Sequence, residues 1–141
     1  MLANLYLSKR DYERARSHLN HLIEVDPSNY TANYNLGVLD CLQGNWQEGD
    51  RHLRAAIQTD PSSAEAHNTL GSLHLRRGDL DAARAEFSEA IRLNPRFASA
   101  HYNLGLVLRR QGKKDEAAQE FHEALSADSS FQPAREALER P

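Results

Sequence analysis

The chain has 141 residues, 40% hydrophobic and 26% charged, with a formal net charge of −3. That balance excludes a disordered segment and a polycation built for nucleic acid. The single cysteine, Cys41, excludes an intrachain disulfide framework and a CxxC metal or redox site. No apolar run nears the roughly 20 residues that span a bilayer. The start, Met1-Leu2-Ala3-Asn4-Leu5, lacks the charged and apolar regions of a signal peptide, so a soluble, cytoplasmic protein is expected.

Three marks then return every 34 residues: Leu36-Gly37, Leu70-Gly71 and Leu104-Gly105; Gly44, Gly78 and Gly112; Pro27, Pro61 and Pro95. A period between 20 and 50 residues is the mark of stacked repeats, which bury their core unit by unit and present a long side-chain-lined surface. The first block, 1–29, begins part-way through a first helix and has Arg10 at the position of the turn glycine. Leu2, Leu5 and Tyr6 lie there without a polar cap, and they mark either a cut through a longer array or a face for self-association. Block 30–63 carries Asn45 and Glu48 at capping-box spacing, and Ser62 with Glu65 repeats that spacing at the next joint.

Block 64–97 shows both helices of a repeat most clearly. Ala66, Leu70, Gly71 and Leu73 form the first stripe, Gly78 closes it, Asp79 caps the second helix, and Leu80, Ala83, Phe87, Ala90 and Ile91 form the second stripe. Asn94-Pro95 ends it, because proline disfavours helix in the residue before it and donates no backbone N–H. Block 98–131 repeats the pattern with Ser129 in place of the proline. Ala134 and Leu138 of the final segment, 132–141, repeat the spacing of Ala100 and Leu104 and predict a capping helix. Nothing alternates with the period of a strand. The expected fold is all-α, built from antiparallel helix pairs.

His67, Leu70-Gly71, His74, Gly78, Ala83, Phe87, Ala90 and Pro95 together resemble the tetratricopeptide repeat family, and the resemblance covers nearly the whole chain. It implies a right-handed α-α superhelix whose first helices line a concave face. Carried over by register, that face would display Tyr34, Asn35 and Val38, then Asn68, Thr69, Ser72 and Arg76, then Tyr102, Asn103, Leu106 and Arg110. Asparagine donates and accepts at once, which suits the backbone of an extended peptide, and tyrosine adds stacking area with a polar tip. The resemblance therefore implies a non-enzymatic scaffold holding a protein or peptide ligand. Two alternatives are an accessory domain of a larger enzyme, such as a glycosyl- or sulfotransferase, and a self-assembly element.

Other chemistries fail on their residues. Chaperone-binding relatives clamp a terminal carboxylate with basic side chains that would fall here at Glu65 and Thr69, which supply no positive charge. His18 and His21 could share an ion, but no third ligand is close in sequence. His122-Glu123 starts a zinc-protease motif that Ser126 breaks. No phosphate-binding loop or nucleophile elbow occurs. Glu86, Glu89, Glu120 and Glu123 are expected on the solvated outer side of second helices. Arg76-Arg77, Arg109-Arg110 and Lys113-Lys114 make a basic edge where cations complement helix C-termini. No metal, cofactor, nucleic acid or membrane is expected as a partner.

Overall fold

The computed structural model describes residues 11–140. Leu2, Leu5 and Tyr6, together with Asn4 and Arg10, lie outside the described residues. Among the described residues there are eight helices and no strand, divided into two units between Ser62 and Ser63. The first unit holds α1 (Tyr12–Val25), α2 (Tyr30–Gln43) and α3 (Trp46–Thr59). The second holds α4 (Ala64–Arg77), α5 (Leu80–Leu93), α6 (Ala98–Arg110), α7 (Lys114–Ala127) and α8 (Gln132–Glu139). First helices begin at Tyr30, Ala64, Ala98 and Gln132, the positions that the 34-residue spacing predicts.

Within a pair, the chain reverses through a left-handed glycine. Gly44 and Gly78 have φ of 76° and 82°, a conformation open to glycine at little cost. The next residue then closes the turn through its backbone: Asn45 N–H donates to the Asp40 carbonyl and Asp79 N–H to that of His74, both at 2.9 Å. This geometry corrects the expected capping chemistry. Asn45 and Asp79 occupy N-cap positions, but their side chains make no capping bond, whereas Asp11, the equivalent residue of the first block, accepts from Arg14 N–H at 3.4 Å. Glu48 pairs with Arg51 instead. At the joints between repeats the side chains of Asn29 and Ser63 do cap, accepting from Ala32 N–H (2.8 Å) and Ala66 N–H (3.1 Å). The cap of α4 is thus Ser63, one residue beyond the expected Ser62.

Those joints carry a second device. Asp26, Asp60, Asn94 and Asp128 each accept the backbone N–H two residues on, at 2.9 to 3.2 Å, in an Asx turn. In three of them a serine hydroxyl donates to the same carboxylate oxygen. The hydroxyl and N–H of Ser130 hold the Asp128 carboxyl below its ordinary pKa. The turn at Ser129 therefore keeps its shape without a proline.

In each unit the apolar stripes of paired helices meet. Leu19, Ala32 and Leu36 form a buried cluster in the first unit, beside fully buried Leu39 and Leu53. In the second, Phe87, Leu104, Val107, Leu108 and Phe121 pack with Ala83, Ala117, Ala124 and Ala134. A methyl group on Gly71 would lie 2.7 Å from the Phe87 ring, and one on Gly105 would lie 2.5 Å from Phe121. The Leu-Gly mark thus records a crossing too close for any other residue. Removing Leu70, only 1% exposed, should leave a cavity costing about 2–5 kcal/mol.

Candidate peptide-binding face

In the second unit, α4 and α6 bring together most of the residues expected on the working face. Asn68, Thr69, Ser72, Tyr102, Asn103 and Leu106 are half-buried, while Arg76 and Arg110 are exposed. Asn103 Nδ2 donates to Asn68 Oδ1 at 3.1 Å, so the amides of neighbouring first helices lock onto each other. Each amide has two N–H donors and a carbonyl with two lone pairs, and this bond leaves most of that capacity open. The two hydroxyls behave differently. Ser72 donates to the Asn68 carbonyl and Thr69 to that of Glu65, both at 2.9 Å along their own helix, leaving their oxygens mainly as acceptors.

Tyr102 stands edge-on to Phe131, with ring centroids 5.6 Å apart, and tilted against Phe121 at 5.8 Å. It lines a cavity of about 250 Å³ between α6 and α8, with Arg109, Gln132, Glu136 and Arg140. Arg110 Nη1 donates to the Leu75 carbonyl at 3.2 Å, which carries its charge back to the last turn of α4. In the first unit, Tyr34 stacks on Tyr30 at 5.9 Å and Val38 is half-buried. Asn35 is only 8% exposed, a buried polar group and not a displayed one.

The second helices hold partnerships that the sequence reading placed in solvent. His67 Nδ1 lies 2.7 Å from Glu86 Oε2 and His101 Nδ1 lies 2.7 Å from Glu120 Oε2. Glu86 and Glu120 are therefore partly buried across an antiparallel pair, with side-chain exposures of 21% and 24%. Both pairs span 19 residues and repeat at 34, a spacing that could have revealed them. Glu89 is drawn below the ordinary carboxyl value by the hydrogen bond from Arg92. Among the described residues, no three His, Cys, Asp or Glu side chains converge as metal ligands, and no helix is long and apolar enough to cross a membrane. His21 instead lies 3.8 Å from Glu24 on the exposed side of α1.

The first unit contains an arrangement with no counterpart in the expected site. Asp40 is fully buried; Arg16 Nη2 donates to its Oδ1 at 2.7 Å and His52 Nδ1 lies 2.8 Å from its Oδ2. Arg16 also donates to Gln43. Burial pushes the Asp40 carboxyl up, but hydrogen bonds from His52 and Arg16, with their charges, outweigh that and hold it below its ordinary value of 3.8. The triad is a structural ion cluster.

Comparison with known proteins agrees with this geometry. A family model for the tetratricopeptide repeat matches residues 1–39, 43–96 and 68–133. A crystal structure of MamA is 27% identical, covering 98% of this chain and 81% of its own, with a TM-score of 0.87. PilF from Pseudomonas aeruginosa is 24% identical, covering 97% of this chain, with a TM-score of 0.91. This chain spans 63% of that PilF structure. MamA from Desulfovibrio magneticus RS-1 is 21% identical, covering 92% of this chain and 73% of its own, at 0.83. No curated protein sequence matches the chain.

Proposed function

The chain belongs to the tetratricopeptide repeat family, and we propose that it is a non-enzymatic scaffold that holds a peptide segment on the first-helix face of its second unit. The observation that carries this reading is the Asn103–Asn68 amide bond, set between two first helices. A fixed pair of amides presents donors and acceptors with the pattern that an extended backbone requires. The helices hold them before the ligand arrives, which lowers the ordering cost of binding. Tyr102 is the apolar anchor beside them, its ring already immobilised by Phe121 and Phe131. A groove of this size supports a Kd on the order of micromolar, about −8 kcal/mol. Ser72 and Thr69 contribute as acceptors, and Leu106 as apolar floor. Tyr34 and Val38 occupy the corresponding region of the first unit, where Asn35 is buried.

The test uses a decapeptide selected on the full chain from a random library and measured by fluorescence polarisation. Asn103→Ala and Tyr102→Ala should each weaken it about fivefold or more, as expected for losing a hydrogen bond or an aromatic contact. Circular dichroism should show unchanged helix. Full affinity in both variants would overturn the reading.

A further inference from the structure

We propose that the peptide held on this face is acidic, its carboxylates gripped by an arginine rail along the C-terminal ends of α4, α6 and α8. The inference rests on the groove reading above. Arg76, Arg109, Arg110 and Arg140 all lie at that edge, at the last turns of α4 and α6 and at the C-cap of α8. None of the four makes an ion pair among the described residues. By contrast, neighbouring Arg77 lies 3.5 Å from Asp79, and Arg92 pairs with Glu89.

Two of the arginines are held at the edge by backbone contacts. Arg110 Nη1 donates to the Leu75 carbonyl, immediately before Arg76, and Arg109 Nη1 to the Arg140 carbonyl at 3.5 Å. Arg109 also lies 5.5 Å from the centre of the Phe121 ring. The acidic residue at the start of α4, Glu65, is eleven residues from Arg76, about 16 Å along the helix at 1.5 Å per residue.

Helix dipoles do not consume this charge. Each C-terminus supplies roughly half a negative charge, so three helices offset about one and a half of the four positive charges. Glu136 lines the cavity between α6 and α8, accepts from Gln132 and offsets one more, while Asp115 and Lys114, which line the adjoining cavity with Arg109 and Arg140, cancel each other. A surplus of about one and a half positive charges is left along that edge.

Neighbouring packed helices stand about 8–10 Å apart, close to one turn of a polyproline II chain, three residues at about 3.1 Å each that bring every third side chain back to the same face. Carboxylates three residues apart therefore match successive arginines. A nucleic acid fits less well, because single strands stack successive bases on several aromatic faces and Tyr102 is the one Phe, Tyr or Trp that α4 and α6 carry.

The experiment uses the full chain and a fluorescein-labelled nonapeptide of serine and asparagine with aspartate at its second, fifth and eighth positions. A counterpart has asparagine at those three. The aspartate peptide should bind about tenfold tighter at low salt and lose that advantage as screening rises. Arg76→Gln with Arg110→Gln should remove the advantage, read as the ratio of the two peptides' affinities. Because Arg110 also braces Leu75, Arg76→Gln alone supplies a second reading, an expected loss of about threefold. Arg84→Gln removes the same charge from the exposed side of α5 and should change nothing.

Equal affinity for the two peptides would overturn the inference, as would an Arg84→Gln effect equal to that of Arg76→Gln. Tighter binding of a nine-nucleotide oligouridylate through the same arginines would overturn the choice of a peptide. Asn103→Ala separates the two proposals. If it weakens both peptides while the arginine variants do not, the groove stands and the acidic preference falls. Arginine-dependent binding that ignores Asn103→Ala leaves the preference and removes the groove.

Discussion

Asp40, His74 and Leu108 stand 34 residues apart, so they are the same position of three successive repeats, and each is less than 9% exposed. The first unit fills that position with a carboxylate held by Arg16 and His52; the second fills it with an imidazole and then with hydrocarbon. Leu53, Phe87 and Phe121 show the complementary trend, the aromatic rings appearing in the second unit, where no carboxylate stands at the position of Asp40. The shared backbone plan thus tolerates two kinds of interior. A packed apolar interior gains from burial alone, whereas a buried ion cluster must meet its desolvation cost with complete pairing.

The largest effect that tests this contrast comes from breaking the cluster unevenly. Arg16→Leu strips a counter-charge from a fully buried carboxylate and should cost about 3 kcal/mol. Asp40→Leu installs the residue that the fourth repeat already uses; it leaves Arg16 with its route to solvent and Gln43, and should cost far less. Urea melts followed by circular dichroism order the two variants. If Asp40→Leu proves the costlier, the cluster is a net source of stability and the contrast between the units fails.

Next in size is the response to acid. The folded pKa of Asp40 lies below its ordinary value, so the stability it contributes is present above pH 3.8 and is lost as pH falls through the lowered value. The only tryptophan, Trp46, opens α3 and reports on the first unit. Its fluorescence should signal loss of that unit on acidification, and Asp40→Leu should shift the transition to lower pH. An unshifted transition would assign acid sensitivity to other carboxylates, among them Asp128 and Glu89, whose pKa values are also lowered.

The smallest effect compares joints. Asp128→Ala should lower the melting temperature measurably, because that turn relies on hydrogen bonds from Ser130 and has no proline behind it. Asp60→Ala should cost less, since Pro61 fixes its own φ whether or not the carboxylate is present. Thermal melts of the two variants decide the order, and equal losses would mean that the proline adds nothing.

Most of the architecture was legible because helix periods, left-handed glycines and small residues at crossings are local or strictly periodic demands. The starts of α2, α4, α6 and α8 fell on the expected residues for that reason. The site was less legible. Register places Asn68 and Asn103 on one face, but their mutual bond depends on how adjacent helices approach. Register likewise suggests display at Asn35, which packing instead buries. The hydroxyls of Thr69 and Ser72 turn back onto their own helices, a choice that spacing does not encode. The Asp40 cluster joins residues 24 and 12 apart and occurs in one repeat alone, so comparing repeats hides it.

That cluster also draws on two blocks: Arg16 comes from the first, Asp40 and His52 from the second. The positions equivalent to Arg16 in the three later blocks are Asp50, Arg84 and Ala118. Tandem duplication of block 30–63 would therefore set its new carboxylate opposite Asp50, while the same block inserted after 64–97 would meet Arg84. One hidden ion cluster thus gives the array a grammar of succession: its modules share a shape, yet only some orders of them can be written.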